Sequence, residues 1–420
     1  MNHAAPSRFL GSHEATASTP SPSASALPAA PRQGRDAARV HRQLPPPRAE
    51  LRVCVIIPAK DEALNLPATL AALAAQTDVH GQPLPAGCFE VIVLANNCTD
   101  TTAAVVRQHA RLFPQLVLHV AELCLPPARA HVGRARRLLM DEACARLEQV
   151  GAPDAIIAST DADTCVAPTW LAAIRAEIAA GADAVGGRIH SEISGDELLP
   201  LRRLQTRDTA YRLLCARLES LLDPNCADPW PRHYQHFGAS LALTTRAYRQ
   251  VGGLPEVRFL EDEALCQALR RHDLRVRHSP HVQVLTSARR DGRVEVGLSW
   301  QLREWLNMSR QYREPHVECP HQLAALWRVR RDLRACWSRR AGLPSNALAA
   351  RLGLTLVALQ VLVQQAATFG ELWESIVATA PGATVALVPL SRALRELPLL
   401  IKPAQAAGRA TSASQLLVHF

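Results

Sequence analysis

Residues 53–66 read VCVIIPAKDEALNL, and this stretch decides the fold. Its first six residues, VCVIIP, are apolar apart from the closing proline, and a continuous apolar run of this length indicates a strand that is buried on both faces. The residues over 64–75 then show the spacing of an amphipathic helix. Between the two lie Asp61 and Glu62. The stretch therefore predicts a strand–loop–helix unit whose strand ends in acidic residues.

The same pattern recurs along the chain. Further buried strands are predicted at 89–95 (FEVIVLA), 116–121 (LVLHVA) and 155–160 (AIIAST). Helices are predicted over 101–112 and 132–150, and another begins near Pro168. This alternation predicts an α/β fold, with a Rossmann-like, mostly parallel sheet covered by helices on both faces. Such sheets bind ligands at the carboxyl ends of their strands.

The composition changes on both sides of this region. Residues 1–50 are rich in Ser, Ala and Pro and show no period, which predicts a mobile tail. Beyond about residue 310 the strand signals give way to apolar and basic helical patterns. We therefore expect a tail over 1–50, a sheet domain over 51–310 and a helical C-terminal extension over 311–420.

Composition limits the partners and the compartment. The 420 residues carry 47 Lys+Arg and 38 Asp+Glu, a formal net charge of +9, which suits phosphate-bearing ligands or an anionic membrane surface. Only 4% of the residues are aromatic, so few side chains can stack on bases, and we expect no nucleic-acid partner. The eleven cysteines form no C-x-x-C pair, which is typical of reduced thiols.

The chain shows no targeting or spanning segment. No apolar core of a signal peptide follows the first residues, and no apolar run reaches the ~18–20 residues of a spanning helix. We expect a cytoplasmic protein, and the basic helical residues leave a peripheral contact with the inner face of the membrane open. The sequence does not indicate an oligomeric state.

The sequence Asp161-Ala-Asp163 follows the predicted strand at 155–160. Two carboxylates spaced in this way beyond a strand end can share one hard divalent cation, Mn²⁺ or Mg²⁺, which prefers oxygen ligands and accepts phosphate oxygens. A solvated turn with an aspartate as a helix cap is the ordinary alternative. The pair by itself does not decide between these interpretations.

Further motifs accompany this pair in a fixed order. Besides the stretches already quoted they are NNCTDTT (96–102), GRAR (133–136), FGASLALTTRAYRQVGGLPE (237–256), FLEDEAL (259–265) and TSARRDGR (286–293). In this order they resemble family 2 glycosyltransferases of the GT-A fold, over roughly residues 51–300. The resemblance implies transfer of a sugar from a nucleoside-diphosphate sugar.

The resemblance also implies a nucleotide-sugar site at the strand ends. The residues that correspond to this site are Pro58, Ala59, Asp61, Glu62, Asn96, Arg134 and Asp161. Asp61 and Glu62 can accept ribose hydroxyls, and Arg134 near a helix start suits diphosphate oxygens. At the second strand the family often has an aspartate for the base, whereas this chain has Ala95 followed by Asn96, which leaves the base open.

The metal and the catalytic base follow from the same resemblance. Asp161 and Asp163 would hold the cation, and His281 is our candidate to complete its ligands, as a histidine does in related enzymes. The Glu261-Asp262 pair matches the acidic pair of the family. Inverting transfer needs a base for the acceptor hydroxyl, and we assign that role to Asp262 with Glu261 beside it.

Two other classes of function stay open at this point. A nucleotidyltransferase also places carboxylates and a metal beneath a parallel sheet, but PAKDEALNL contains no glycine for its signature loop. A non-catalytic relative that binds a nucleotide sugar, or only partner proteins, is consistent with the substitution at Ala95. The sequence identifies neither the sugar nor the acceptor.

Overall fold

The computed structural model describes residues 34–152, 154–193, 198–289, 297–338 and 344–416. Two compact units divide these residues. The sheet unit comprises 34–193 and 226–303, and the helical unit comprises 198–225 and 304–416, within the described ranges.

One eight-stranded sheet forms the sheet unit. Its strands are β1 (Val53–Ala59), β2 (Phe89–Asn96), β3 (Val117–Leu123), β4 (Ile156–Ser159), β5 (Thr164–Val166), β6 (Ala184–Glu192), β7 (Leu241–Thr244) and β8 (Val276–Ser287). They are arranged in the order β3-β2-β1-β4-β7-β6-β8-β5. Strands β3, β2, β1 and β4 are mutually parallel, while β7 runs antiparallel to β4 and β6, and β5 antiparallel to β8.

Helices cover both faces of this sheet. They are α1 (Arg35–His41), α2 (Leu66–Ala74), α3 (Thr102–Leu112), α4 (Val132–Gln149), α5 (Trp170–Ala179), α7 (Thr245–Gln250) and α8 (Glu261–Arg271). Alternate residues of β1 point to opposite faces, so Cys54 and Ile56 pack with α4 while Val55 and Ile57 pack with α2 and α5. Burial on both faces explains why the strands are apolar without alternation. The predicted α/β fold with a mostly parallel sheet is confirmed.

The structure differs from the predicted tail between residues 34 and 50. Helix α1 lies in this range, and its Val40 is 0% exposed within the core beneath α4. Gln43 exchanges two hydrogen bonds with the backbone of Glu122 at the edge strand β3. The Pro/Ser/Ala composition hides this helix because a seven-residue helix is stabilised by packing and not by its own period. Residues 1–33 lie outside the described residues.

The helical unit has its own two apolar cores. Its helices are α6 (Leu199–Leu222), α10 (Pro320–Ser338), α11 (Asn346–Leu352), α12 (Leu356–Gln365), α13 (Phe369–Thr379) and α14 (Leu390–Leu416). Two short strands, β9 (His316–Glu318) and β10 (Leu387–Pro389), pair antiparallel. Helix α9 (Leu298–Arg310) contains the boundary between the units. Helix α6 belongs to this unit, whereas the sequence placed it in the domain over 51–310.

No single helix among the described residues is long and apolar enough to cross a membrane. Helices α11 and α12 meet the criteria of length and composition only as a pair, and they are bent by 89° at the break between them.

A buried ion pair links α4 to strand β2 of the sheet. Glu90 of β2 accepts two hydrogen bonds of 2.7 Å from the Nε and Nη2 atoms of Arg146, and both side chains are almost fully buried. Burial would raise the pKa of Glu90, but the bonds from Arg146 and from His119 outweigh it and lower that pKa to about 2. The ionised carboxylate is therefore the form that the folded state favours.

This pair predicts a component of acid sensitivity. The folded-state pKa of Glu90 lies below its unfolded value near 4.5, so Glu90 contributes stability above pH 4.5 that is lost as pH falls towards 2. For Glu90→Gln we expect the free energy of unfolding to decrease at pH 6 by about 3 kcal/mol, and to depend less on pH between 4.5 and 2. Urea titrations at several pH values measure both quantities. Glu122→Gln, in an exposed pair with Arg107, is the matched control, and an equal effect there would contradict the assignment.

Candidate active site

The predicted acidic loops meet at one edge of the sheet unit. Asp61 and Glu62 follow β1, Asp161 and Asp163 follow β4, and the pair Glu261-Asp262 begins α8. Strands β1 and β4 are neighbours and parallel, so their carboxyl ends lie side by side. The segments with Asp163 and Glu261 are far apart in the sequence, but α4 joins them in space.

Arg136 of α4 makes that connection. Its Nη2 donates to Oδ1 of Asp161 at 2.9 Å, and its Nε donates to Oε1 of Glu261 at 3.0 Å. The remaining Nη1 donates to the backbone oxygen of Gly238 at 3.1 Å and to the hydroxyl of Ser159. Only 3% of the residue is exposed. A buried guanidinium needs such partners, and burial, which lowers the pKa of Arg136, is outweighed by the two carboxylates, which raise it.

The sequence pointed to a different arginine. Arg134, predicted to bind the diphosphate, donates to Glu256 at 2.8 Å and to Asp36 of α1 at 3.2 Å. The structure therefore does not bring its Nη atoms to Asp161. Helical spacing was the signal that could have found the other one, because Arg136 shares the buried face of α4 with Leu139, Met140 and Ala143.

Glu62 and Asp163 are joined by a second arginine. The guanidinium of Arg289, just beyond β8, contacts both carboxylate oxygens of Glu62 and lies 3.2 Å from Oδ2 of Asp163. Burial and the nearby charge of Asp161 raise the pKa of Asp163 to about 6, although Arg289 opposes them. Burial and repulsion from Asp161 therefore disfavour the ionised form of Asp163. A ligand that needs the carboxylate of Glu62 must share it with Arg289 or displace that side chain.

The remaining acidic residue of the first loop, Asp61, links the loop after β1 to the loop after β2. Asp61 has a left-handed backbone (φ 51°), and its Oδ1 accepts N–H groups of Thr99 and Asp100. The Thr99 backbone bond is the main cause that lowers the pKa of Asp61. Oδ2 of Asp100 accepts the N–H of Ala63 in return. These bonds hold the two loops in a fixed relation, so the ribose role predicted for Asp61 would use a carboxylate that already binds backbone.

Three further predicted residues line the same strand ends. Pro58 pairs in register with Leu94, and Ala59 with Ala95. Asn96 is 4% exposed, and its Oδ1 has no hydrogen-bond partner among the residues that the structure describes. A buried acceptor without a donor costs free energy, so this amide is available to a ligand that offers an N–H group.

His281 is not brought to the aspartates. It lies at an irregularity of register in β8, before Gln283, whereas Thr286 is the residue of β8 that pairs with Thr164. The three residues from Gln283 to Thr286 span about 10 Å of strand, and His281 lies farther away still. Ligands of Mn²⁺ or Mg²⁺ must lie within about 2–2.6 Å of the ion. The register of β8 therefore does not bring His281 beside Asp163, and its role as a metal ligand stays a prediction.

Oxygen ligands at Asp161 and Asp163 do fit a divalent cation. The arginines contact one oxygen of each carboxylate, Oδ1 of Asp161 and Oδ2 of Asp163. A cation between the two carboxylates would relieve the repulsion that raises the pKa of Asp163. Asp61, Cys98 and Asp100 also offer ligand atoms within 4.8 Å of one another, but their carboxylates already accept the backbone bonds described above.

The first turn of α8 presents two adjacent acidic side chains, Glu261 and Asp262, to different partners. Glu261 pairs with Arg136, and burial raises the pKa of Glu261 against the opposing charge of that arginine. The Oδ2 and Oδ1 atoms of Asp262 accept the N–H groups of Gly238 and Glu263, both at 2.8 Å. Each carboxylate oxygen has two lone pairs, so these bonds orient Asp262 and leave acceptor capacity for a hydroxyl.

Part of the sequence has a counterpart in a known family. Residues 54–232 match the sequence model of Glycosyl transferase family 2. The match covers less than half of the chain, and it identifies residues 54–232 as a family 2 glycosyltransferase segment. The resemblance drawn from the motifs is thereby confirmed, and the protein is a glycosyltransferase. The predicted alternative of a nucleotidyltransferase receives no such support. No curated protein matches the glycosyltransferase in sequence.

Several solved structures are similar in fold to the glycosyltransferase. The mannosyltransferase PcManGT from Pyrobaculum calidifontis, solved with GDP-Man and Mn²⁺, is 17% identical, with 91% of this chain and 87% of that chain covered and a TM-score of 0.41. Residues 1–349 of S. aureus TarS with UDP-GlcNAc are 15% identical, with 86% and 92% covered and a TM-score of 0.42. M. tuberculosis glucosyl-3-phosphoglycerate synthase is 17% identical, with 64% and 85% covered and a TM-score of 0.36. Likenesses of this degree do not assign a substrate.

Proposed function

We propose that this glycosyltransferase moves a sugar from a nucleoside-diphosphate sugar to an acceptor hydroxyl, with a divalent cation and with inversion at the anomeric carbon. The observation that supports the proposal most is the pairing of Arg136 with both Asp161 and Glu261. The guanidinium of Arg136 contacts Asp161, a proposed ligand of the divalent cation, and Glu261, which directly precedes the proposed base Asp262.

The donor side of the site would be formed by the β1, β2 and β4 ends. Asn96 offers its unpartnered Oδ1 to an N–H group of the base, and Glu62 offers its carboxylate to the ribose once Arg289 moves. Released from Glu62, the guanidinium of Arg289 can bind phosphate oxygens with two parallel N–H groups. Asp161 and Asp163 would hold Mn²⁺ or Mg²⁺, which when bound acts as a Lewis acid for the departing diphosphate.

The acceptor side would be served by Asp262. The acceptor oxygen attacks the anomeric carbon as the bond from that carbon to the diphosphate oxygen breaks, and the hydroxyl proton passes to a carboxylate oxygen of Asp262. Bonds from Gly238 and Glu263 fix the direction of that carboxylate before the acceptor arrives. Attack from the side opposite the leaving group inverts the configuration.

The experiment that tests this function is release of nucleoside diphosphate. The full chain is incubated with UDP-, GDP- and dTDP-sugars and Mn²⁺, and slow hydrolysis to the free diphosphate and changes in melting temperature are recorded. We expect turnover, and a melting-temperature increase that requires Mn²⁺, for at least one base. Absence of both with every donor would overturn the proposal.

Asp163→Asn separates the metal role from folding. At pH 7.5 we expect the variant without metal to be more stable than wild type by roughly 1–2 kcal/mol, because the repelled carboxylate with its pKa of about 6 is gone. The increase in donor affinity that Mn²⁺ causes should disappear. Calorimetric titration of donor with and without Mn²⁺ measures this loss, and retained Mn²⁺-dependent affinity would refute the role of Asp163. Asp78→Asn, in an exposed turn, is the control.

A further inference from the structure

A chain of four buried or half-buried polar side chains lies behind the first turn of α8. Oε2 of Glu263 is 2.6 Å from Nε2 of His236, and Nδ1 of His236 is 3.4 Å from Nε2 of His278. Nδ1 of His278 is in turn 2.8 Å from Oδ2 of Asp228. We call Asp228, His278, His236 and Glu263 the histidine chain. All four belong to the sheet unit.

The partners assign the protons of the histidine chain. Asp228 also accepts the backbone N–H of His278 and bonds from Arg232 and Arg277, so it is an acceptor and Nδ1 of His278 donates to it. One of the two facing nitrogens, Nε2 of His278 and Nδ1 of His236, carries the proton between the rings, and the lowered pKa of His278 and the raised pKa of His236 assign it to Nδ1 of His236. Nε2 of His236 faces a carboxylate and also donates. His236 is therefore an imidazolium, while His278 is neutral.

The charges around the two rings agree with this assignment. Burial lowers the pKa of His236, but Cys266 and Glu263 outweigh burial and raise that pKa to about 10. Burial and the charge of His236 lower the pKa of His278, although Asp228 opposes them. The titratable and charged groups that face His236 are Glu263, Cys266 and Arg270 on α8 and His278 on β8. Partial burial would raise the pKa of Glu263, but the hydrogen bond and charge of His236 outweigh it and lower that pKa to about 2.

The segment that carries His236 also holds the proposed base. Two residues after His236, the N–H of Gly238 donates to Asp262, while His236 donates to the next residue of α8, Glu263. The segment is pressed against β6, since a Cβ atom on Gly186 would lie 2.4 Å from the backbone oxygen of Gln235. Two bonds from this one segment therefore hold the first turn of α8.

We propose that His236 is a positioning residue, whose buried imidazolium binds Glu263 and thereby fixes the direction in which Asp262 meets the acceptor hydroxyl. The inference rests on the function proposed for Asp262. Within the described part of the chain, no hydrogen bond or ion pair joins His236 or His278 to the donor loops, so the effect of His236 should appear in the chemical step and not in donor binding. A misplacement of about 1 Å at a reacting group can reduce the rate about 10²-fold.

The test combines NMR with kinetics on the full chain. Long-range ¹H–¹⁵N spectra of histidine-labelled protein at pH 8 should show two protonated ring nitrogens for one histidine, and that signal should vanish in His236→Asn. The variant should lose about 10- to 100-fold in kcat with the KM for the donor changed less than twofold. Adding Glu263→Gln should cost little more, because the two residues act as one unit. His272→Asn, at the other end of α8, should change neither signal nor kcat.

Three results would overturn the inference: a single protonated nitrogen on His236 at pH 7, an unchanged kcat in folded His236→Asn, or a rise in donor KM as large as the loss in kcat. The spectra need no substrate, so they decide the protonation of His236 even if no donor is turned over. A fully active Asp262→Asn would instead refute the role of the base and leave the imidazolium signal as it is.

Discussion

Arg136→Ala should lower the free energy of unfolding by about 3–5 kcal/mol and reduce the rate of sugar transfer by at least ~10²-fold. Removal of the guanidinium leaves buried Glu261 without its counter-charge and releases Asp161 from the connection to α8. Urea titration and diphosphate release measure the two losses. Donor binding should weaken as well, because Asp161 no longer has a fixed position.

Two variants distinguish this effect from a general loss of arginine. Arg136→Lys keeps the charge, but an ammonium group cannot bond Asp161 and Glu261 in the geometry of the guanidinium. We therefore expect the lysine variant to recover the stability only in part. Arg107→Ala removes an arginine from the exposed pair with Glu122, and should cost 0–1 kcal/mol. If Arg136→Ala and Arg107→Ala were destabilised equally, Arg136 would not be the connection that we infer.

Asp262→Asn has the second large expected effect. The amide keeps the shape of the side chain, and its one oxygen can still accept the N–H group of Gly238, but it loses the bond from Glu263 and cannot take a proton from the acceptor. We expect transfer to fall by about 10²–10⁴-fold, the scale of general-base catalysis, while donor affinity changes less than twofold. Initial rates with a saturating donor and calorimetric titration of the donor measure the two quantities.

The corresponding control changes the neighbouring acid. Glu261→Gln weakens the pairing with Arg136 and should therefore reduce both stability and donor binding, in contrast to Asp262→Asn. If Asp262→Asn lost donor binding and stability together, Asp262 would be a structural cap of α8 and the base would have to be sought elsewhere.

The sequence predicted the architecture of the sheet unit well. Predicted strands at 53–58, 89–95 and 155–160 agree with β1, β2 and β4 within one or two residues, since a strand buried on both faces needs a continuous apolar run. The acidic loops were placed correctly for the same reason, because they follow strands whose carboxyl ends share one edge. Residues 290–293 of the motif TSARRDGR lie outside the described residues.

Apart from helix α1, which lies in the predicted tail, the differences from the prediction concern partners and not elements. Arg134 and Arg136 are two positions apart in a chain of 47 basic residues, and only the orientation of α4 decides that Arg136 meets Asp161. His281 and His278 are three apart, and the register of β8 assigns the buried network to His278.

By itself, then, the sequence determined the order of strands and helices, the family, and the loops that carry carboxylates. Apolar patterns and strand ends depend on residues that are neighbours in the sequence. Only the tertiary structure decided which charges neutralise one another: Arg136 with Asp161 and Glu261, Arg289 with Glu62 and Asp163, and His236 with Glu263. The free energy of a buried charge depends on what surrounds it in space, and the groups that surround these charges come from segments 25 to 227 residues apart.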